Sequence, residues 1–168
     1  DIQFGGVDQR KIFMFARDFL PKIGYKKRIH LMNPLIPGLG ESGKMSSSEP
    51  LSKIDFDDSD KNVKHKFHQA YSVDGQPEGN GMLAMLKYVV FPRILSQGRT
   101  FIVKRPEKWG GDIEFKTYEE VVEAFRDMKL ASIDLKGAMA EEVIEMIRPL
   151  RQAIEQNIHL MQAAYPDS

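Results

Sequence analysis

The chain has 168 residues, of which 42% are hydrophobic and 29% charged, as is typical of a globular protein with one or two domains. Its 24 Lys and Arg residues balance 24 Asp and Glu residues, so binding of nucleic acid by overall charge is excluded and any RNA contact must come from a local patch. The absence of cysteine excludes disulfides and thiolate metal sites, and no apolar run in the sequence has transmembrane length.

The beginning of the chain predicts one unit of a parallel α/β sheet. "DIQF" predicts a strand that ends at Gly5 and Gly6, and the apolar spacing of residues 7–24 predicts a helix that Gly24 ends. "KRIHLMN" then predicts a second strand. A strand, glycine turn, helix and strand in this order form the repeating unit of a Rossmann-like sheet. Asp8 is a candidate N-cap of the helix.

Residues 33–52 predict a mobile loop, because prolines, glycines and serines dominate the stretch. Its segment "PGLGESGKMSSSEP" contains both G-x-G-x-x-G and G-x-x-x-x-G-K. A phosphate-binding P-loop requires a hydroxyl directly after Lys44, where this chain has Met45, and a helix that Pro50 opposes. A dinucleotide fingerprint requires a strand that runs into its first glycine, and Pro34 and Pro37 interrupt that approach. A plain solvent-exposed loop remains as an alternative, beside a loop that acts on phosphates through Lys44.

The rest of the chain predicts a mostly helical domain with one small hairpin. Helices are expected over "DDSDKNVKHKFHQAYS", "NGMLAMLKYVVFPRIL" and "YEEVVEAFRDM", the last with a capping box of Thr117 and Glu120. "RTFIVKR" and "DIEFKT" predict two strands around "PEKWGG". A long helix from about Asp134 contains Pro149, which should kink or split it. The fold class is therefore α/β, with a predicted boundary between domains 1–55 and 56–168.

Four motifs together carry a resemblance to a known family. "QFGGVDQRKIF", "HLMNPLIPGL" with "GKMSSS", "RPEKWGGD" and "DLKGAMAEEV" occur in this order across nearly the whole chain. They resemble tyrosyl-tRNA synthetase of the archaeal and eukaryotic cytosolic type, a class I aminoacyl-tRNA synthetase. The resemblance implies that residues 1–55 are the C-terminal part of a Rossmann-like catalytic domain. It also implies that residues 56–168 are a helical anticodon-binding domain.

The resemblance implies roles for the first stretch and for the loop. Gly5, Gly6 and Asp8 match residues around the adenylate, with the Asp8 carboxylate on the ribose hydroxyls, and Leu35 and Ile36 match backbone that frames the adenine. Gln9, next to Gly6, matches the residue that contacts the tyrosine substrate. The catalytic candidates of the signature loop, which stabilise departing pyrophosphate, are Lys44, Ser46 and Ser47. Because Ser47 stands where the broad class has a second lysine, a mechanism with two loop lysines is in doubt.

For the second domain, the resemblance implies contact with the anticodon. Trp109, the only tryptophan, matches an aromatic residue that stacks on the first anticodon base, and Asp134 matches the carboxylate that hydrogen-bonds the edge of that base. A helix N-cap is the alternative role of Asp134. Many relatives have His-Pro where this chain has Ala131 and Ser132, so anticodon affinity is expected to be weaker or differently arranged.

The sequence lacks the H-x-G-H motif of class I synthetases and opens on Asp1, so we expect it to be part of a longer enzyme and inactive alone. The expected whole is a tyrosine–tRNA ligase that uses L-tyrosine, ATP with Mg²⁺ and tRNA(Tyr), as a cytoplasmic homodimer. We expect no bound cofactor, no structural metal and no membrane contact. His65 and His68 are expected to be surface residues, although their spacing suits a metal pair. The alternative function is a non-catalytic synthetase-like module that binds tRNA.

Overall fold

The computed structural model describes residues 1–164, which fall into two compact units that divide between Ile36 and Pro37. The last four residues of the linker-like end "AAYPDS" lie outside the described part. The structure is mixed helix and strand, in agreement with the sequence. The predicted functional boundary near residue 55 lies within the second compact unit, and it stays a prediction. No helix among residues 1–164 has the length and apolar character needed to cross a bilayer.

The first unit is a parallel β–α–β arrangement, as predicted. Its elements are β1 (Ile2–Gly6), a 3-10 turn (Val7–Gln9), α1 (Arg10–Phe19), a second 3-10 turn (Leu20–Ile23) and β2 (Ile29–Asn33). Ile2 lies opposite Ile29, and Gly6 lies opposite Asn33. Gly24 ends the helical stretch with a left-handed backbone (φ 88°), which a residue with a Cβ adopts only at a cost.

The second unit is mostly helical and contains one antiparallel strand pair, also as predicted. Its elements are a 3-10 turn (Pro50–Ser52), α2 (Asp60–Gln69), α3 (Gly81–Met85), a π-helical turn (Leu86–Val90), α4 (Phe91–Ser96), β3 (Phe101–Val103), a 3-10 turn (Glu107–Trp109), β4 (Ile113–Phe115), α5 (Tyr118–Arg126), α6 (Ser132–Gln156) and α7 (Ile158–Ala164). β3 pairs with β4, with Phe101 opposite Phe115.

The core of the second unit forms where α2 packs along α6. Val63 and Phe67 of α2 are fully buried, as are Leu135 and Met139 of α6. These pairs are four residues apart, so each helix buries one face and leaves the opposite face to solvent. Ser59 caps α2 by accepting the N–H of Asn62, which explains why the helix begins at Asp60 rather than at the first aspartate of the predicted segment.

The predicted helix over "NGMLAMLKYVVFPRIL" contains a π-helical turn that the sequence reading did not predict. The Phe91 N–H donates to the Leu86 carbonyl, five residues earlier. Pro92, the next residue, has no N–H to donate to the Tyr88 carbonyl, so the regular ladder is interrupted there. The Asn80 side chain caps the start of this helical run by accepting the N–H groups of Met82 and Leu83.

Candidate functional site

Gly5 and Gly6, at the end of β1, are glycines because neighbouring side chains occupy the space of a Cβ. A Cβ on Gly6 would lie 2.3 Å from Asp8 Oδ1 and 3.0 Å from Leu35 Cδ2, and a Cβ on Gly5 would lie 2.8 Å from the Phe13 ring. Gly6 has an ordinary extended backbone (φ −72°, ψ 158°), so its conformation does not require glycine. The reason for glycine at this position is the lack of space for a Cβ. Side chains of the chain itself therefore fill part of the space beside this turn.

Asp8 and Gln9 lie side by side in the 3-10 turn that follows β1. The Gln9 amide nitrogen donates to Asp8 Oδ2 over 3.0 Å, and the Asp8 side chain is exposed. The prediction that Asp8 is the helix N-cap is wrong: α1 begins at Arg10, and Gln9 occupies the cap position without a side-chain cap bond. Asp8 therefore has no capping task, and its carboxylate is available to accept hydrogen bonds from a ligand.

The structure thus brings most of the predicted adenylate and tyrosine residues of the first unit together. Leu35 contacts the Gly6–Asp8 turn from the segment after β2, where it is exposed, and Ile36 next to it is half-buried. His30 on β2 stacks on Phe13 at 4.9 Å between ring centroids. Both ring nitrogens of His30 and the Gln3 side-chain oxygen are buried without a hydrogen-bond partner in the described residues. No pattern in the sequence indicates that these buried atoms are unpaired.

The predicted signature loop, Lys44–Ser48, belongs to the second unit. Lys44 and Ser47 are exposed, and Ser46 is half-buried. After Lys44 the backbone makes only turns, a 3-10 turn follows at Pro50–Ser52, and the next α-helix starts at Asp60. A P-loop requires a helix directly after its lysine, so the structure contradicts that alternative.

Trp109 projects from the turn between β3 and β4 and is 66% exposed. Gly110 (φ 94°) and Gly111 (φ 71°) both have left-handed backbones, which a residue with a Cβ adopts only at a cost. Arg105 fixes the turn: its Nε donates to the Gly111 carbonyl over 3.0 Å, and its Nη1 donates to the Lys129 carbonyl over 3.2 Å. This arginine joins the tryptophan turn to the segment that leads into α6, and the sequence reading missed it.

Asp134 lies in the first turn of α6 and is half-buried. The alternative that it caps the helix is wrong, because the cap position is Ala131 and the helix has begun at Ser132. The Ser132 N–H donates instead to Asp74 Oδ1 over 2.6 Å. Hydrogen bonding from the Ser132 hydroxyl and backbone N–H holds the pKa of Asp74 below its ordinary value of 3.8.

A groove of about 210 Å³ lies between α2 and α6, and Ile133, next to Asp134 in the chain, is among its lining residues. Lys64, His68 and Lys136 line it, and Glu141 bonds Lys64 over 2.8 Å and raises the pKa of that lysine. Lys136 Nζ donates to the His68 carbonyl over 3.0 Å. His65 and His68 are exposed, and no group of three or more metal-binding side chains occurs within residues 1–164. The groove therefore carries two lysines, of which Lys64 is paired with Glu141.

Comparison with known proteins gives these residues a context. The family model of class I tRNA synthetases specific for tryptophan and tyrosine matches residues 1–148. The chain belongs to this synthetase family. Its relatives include the cytoplasmic tyrosine–tRNA ligase of Saccharomyces cerevisiae, 46% identical over 98% of this chain and 43% of the relative. The tyrosine–tRNA ligase of Natronomonas pharaonis is 42% identical over 99% of this chain and 48% of the relative.

Solved synthetase structures agree with this family. The tyrosyl-tRNA synthetase of Archaeoglobus fulgidus, complexed with L-tyrosine, matches with a TM-score of 0.80 and 37% identity over 90% of this chain and 46% of that one. The tyrosyl-tRNA synthetase of Aeropyrum pernix matches with a TM-score of 0.82 and 36% identity over 97% of this chain and 46% of that one. The resemblance drawn from the four motifs is confirmed. The chain spans less than half the length of these relatives.

Proposed function

We propose that this chain is part of a tyrosine–tRNA ligase, namely the C-terminal half of its catalytic core together with its anticodon-binding domain. The observation that carries the proposal is the 46% identity with a tyrosine–tRNA ligase over 98% of the chain. Residues 1–55 supply the C-terminal part of a Rossmann-like catalytic domain, and residues 56–168 supply the anticodon-binding domain. The parallel pairing of β1 with β2 across α1 supports the first assignment, and the helical second unit with one antiparallel strand pair supports the second.

The first half-reaction joins tyrosine to AMP. A carboxylate oxygen of L-tyrosine attacks the α-phosphorus of ATP, the bond from that phosphorus to the bridging oxygen breaks, and pyrophosphate leaves with its Mg²⁺. Gln9 binds the tyrosine next to Gly6, and Asp8 accepts hydrogen bonds from the ribose hydroxyls. Gly5, Leu35 and Ile36 line the nucleotide with backbone atoms.

The signature loop acts on the departing pyrophosphate. Lys44 supplies positive charge, and Ser46 and Ser47 supply hydrogen bonds, where negative charge develops in the transition state. The exposure of Lys44 supports this role, because an exposed ammonium group on a loop is free to reach a substrate. With Ser47 in place of a second lysine, Lys44 carries the loop's charge alone.

The second half-reaction transfers the tyrosyl group to tRNA(Tyr). A ribose hydroxyl at the 3′ end of the tRNA attacks the acyl carbon, and AMP leaves. Trp109 stacks on the first anticodon base, and Asp134 accepts a hydrogen bond from its edge. The exposure of the Trp109 ring supports the stacking, since an indole in a polar turn has no core contact to lose.

The exposed apolar face of the first unit supports the view that more chain completes the catalytic domain. Ile2 and Phe4 of β1 and Ile29 and Leu31 of β2 are 57–68% exposed on one side of the sheet. A parallel sheet is normally covered on both faces. The whole enzyme is a cytoplasmic homodimer in this proposal. The 168 residues alone lack an H-x-G-H motif and do not activate tyrosine.

Charging of tRNA tests the proposal. The longer protein that contains this chain is given ATP, radiolabelled tyrosine and tRNA(Tyr), with phenylalanine and tryptophan in parallel reactions. We expect acid-precipitable tyrosyl-tRNA and less than about one percent as much product with the other two amino acids, because a site that binds the phenol hydroxyl rejects analogues without it. Formation of tryptophanyl-tRNA instead of tyrosyl-tRNA contradicts the proposal. So does a protein that charges the tRNA with none of the three amino acids.

A non-catalytic module that binds tRNA is the second candidate function, and the exposed Trp109 ring favours it, because stacking on a base needs no catalytic site. Such a module binds tRNA(Tyr) but consumes no ATP. It has no use for the Asp8–Gln9 pair or for Lys44, which the chain retains. Binding of tRNA(Tyr) without any charging by the longer protein is the outcome that establishes this alternative.

A further inference from the structure

Ser52 is a buried serine just beyond the signature loop, and it is only 2% exposed although its neighbours Glu49, Pro50 and Leu51 are exposed. Its hydroxyl oxygen accepts the backbone N–H of Ser46 over 3.0 Å. The same hydroxyl donates to the Glu49 carbonyl over 2.7 Å. The Ser46 N–H has no other acceptor among the described residues, whereas the Glu49 carbonyl also accepts the backbone N–H of Ser52 over 2.9 Å.

The backbone of Ser52 connects this arrangement to the body of the second unit. The Ser52 carbonyl accepts the N–H of Leu39 over 2.9 Å, and the Leu39 carbonyl accepts the N–H of Tyr71 over 2.8 Å. Leu39 is 1% exposed, and Tyr71 follows the end of α2 directly. Hydrogen bonds thus run from Ser46 through Ser52 and Leu39 to the end of a core helix.

The backbone on the N-terminal side of Lys44 is held by contacts that involve two glycines. The Gly38 N–H donates to the Gly43 carbonyl over 2.9 Å, and a Cβ on Gly38 would lie 2.4 Å from the Lys44 carbonyl. The backbone before Lys44 and the backbone after it are each tied to fixed points of the second unit. The Lys44 side chain itself remains exposed between these two ties.

We propose that Ser52 is a positioning residue for the signature loop: it holds the Ser46 backbone so that Lys44 acts at the departing pyrophosphate. The inference rests on the proposed function. Groups that stabilise developing charge act well only when the protein fixes them before the reaction, and small misplacements are expensive in rate. Removal of the Ser52 hydroxyl leaves the Ser46 N–H without its acceptor, while the Glu49 carbonyl keeps the Ser52 N–H, so the loop samples more positions at Ser46 and Lys44 is aligned for less of the time.

The test compares Ser52→Ala with Ser96→Ala in the longer protein. Ser96 is a matched control, because its hydroxyl also donates over 2.7 Å to the carbonyl three residues earlier, that of Arg93, but on the exposed surface of α4. Single-turnover formation of tyrosyl-adenylate is measured together with the KM for tyrosine. We expect Ser52→Ala to lower the rate about 10- to 100-fold with the KM within about twofold, and Ser96→Ala to change neither.

A second readout separates positioning from general damage. Transfer of tyrosine from preformed tyrosyl-adenylate to tRNA involves no pyrophosphate, so Ser52→Ala should leave that step at the wild-type rate. Deuterium exchange at the amides of residues 44–48 should be faster in Ser52→Ala than in the wild type. Ser52→Thr keeps the hydroxyl and should restore adenylate formation to within about threefold of the wild type.

Three results would overturn the inference. If Ser52→Ala forms tyrosyl-adenylate at the wild-type rate, the Ser52 hydroxyl does not position the signature loop. Equal losses in adenylate formation and in transfer, or an inactive Ser52→Thr, show a structural role only. If the wild-type protein forms no tyrosyl-adenylate, the proposed function fails first, and the inference fails with it.

Discussion

Trp109 offers the sharpest prediction at the residue scale, because its ring is exposed and its turn is held by Arg105. Trp109→Ala should raise the KM for tRNA(Tyr) roughly 5- to 150-fold, since stacking of a base on an aromatic ring contributes about 1–3 kcal/mol. Tyrosine-dependent formation of adenylate should not change. Trp109→Phe is the control and should retain most of the affinity, and a Trp109→Ala enzyme with an unchanged KM would contradict the anticodon assignment.

The buried ion pair of Lys66 and Asp58 gives a second prediction at this scale. Both side chains are 8% exposed, their charged atoms lie 2.5 Å apart, and Asp58 also accepts the Asp55 N–H. Asp58→Ala leaves the buried Lys66 ammonium only the Asp55 carboxylate, 3.3 Å away, and should lower the free energy of unfolding by about 3 kcal/mol, measured by urea denaturation.

An exposed ion pair on the same helix supplies the control. Lys64 and Glu141 lie 2.8 Å apart with side chains 57% and 64% exposed. Glu141→Ala should cost less than about 1 kcal/mol, because solvent screens such a pair. Equal costs for the two variants would show that burial of the Lys66 pair contributes nothing.

The residues Asp8 and Asp134 mark the limit of what sequence predicts at this scale. Each aspartate stands near the start of a helix, so N-capping was a reasonable alternative role, yet each helix has another residue at its cap. When a helix starts one or two residues away from the predicted position, a different residue becomes its N-cap. Packing determines where the helix starts. The burial of Ser52 could not be predicted from the sequence either, because a serine in a Ser- and Pro-rich stretch predicts an exposed loop.

At the scale of elements, the start of α6 depends on a residue from the connection between α2 and α3. Asp74 accepts the Ser132 N–H over 2.6 Å, and the Ser132 hydroxyl lies 2.8 Å from that of Ser72. A proline at position 132 would carry no N–H and could not make the bond to Asp74. The anchoring of this helix start therefore requires a residue with a backbone N–H at position 132.

Asp74→Ala should lower the free energy of unfolding by about 1 kcal/mol at pH 7, the usual cost of a lost helix cap. The pKa of Asp74 is lowered in the folded state through Ser132, so its contribution is present above the ordinary value of 3.8 and disappears as pH falls below it. Urea denaturation of wild type and variant should give a stability difference at pH 7 that vanishes at strongly acid pH. A difference that persists in acid would contradict the role of the carboxylate charge.

Most elements could be predicted from the sequence because their end signals are local. Thr117 and Glu120 form the predicted capping box at the start of α5. Pro149 is the exception, because α6 continues through it as one 25-residue helix rather than splitting. Beyond the proline, Arg151 donates to the Asp58 carbonyl and to Asp60 Oδ1, each over 2.6 Å. These long-range bonds hold the last part of α6 against the start of α2, and no local pattern reveals them.

At the scale of the whole molecule, the resemblance of the four motifs predicted the family, whereas the sequence did not predict that one face of the first sheet is exposed. The apolar residues of β1 and β2 predict a buried sheet, but Ile2, Phe4 and Ile29 are exposed in the first unit. Sequence periodicity shows which residues suit burial and gives no information on the segment that covers them. The division between Ile36 and Pro37 was also unpredicted, since it separates the β–α–β unit from the signature loop.

The central claim, that this chain supplies the signature loop of a tyrosine-activating enzyme, is tested most directly by tyrosine-dependent exchange of pyrophosphate into ATP. The measurement compares the longer protein with its Lys44→Ala variant, and Lys61→Ala, an exposed lysine of α2, serves as the control. The account predicts exchange by the wild type and the control, and a loss of about 10²- to 10³-fold in kcat with little change in the KM for tyrosine for Lys44→Ala. Absence of exchange in the wild type, or an unchanged kcat in Lys44→Ala, would contradict it.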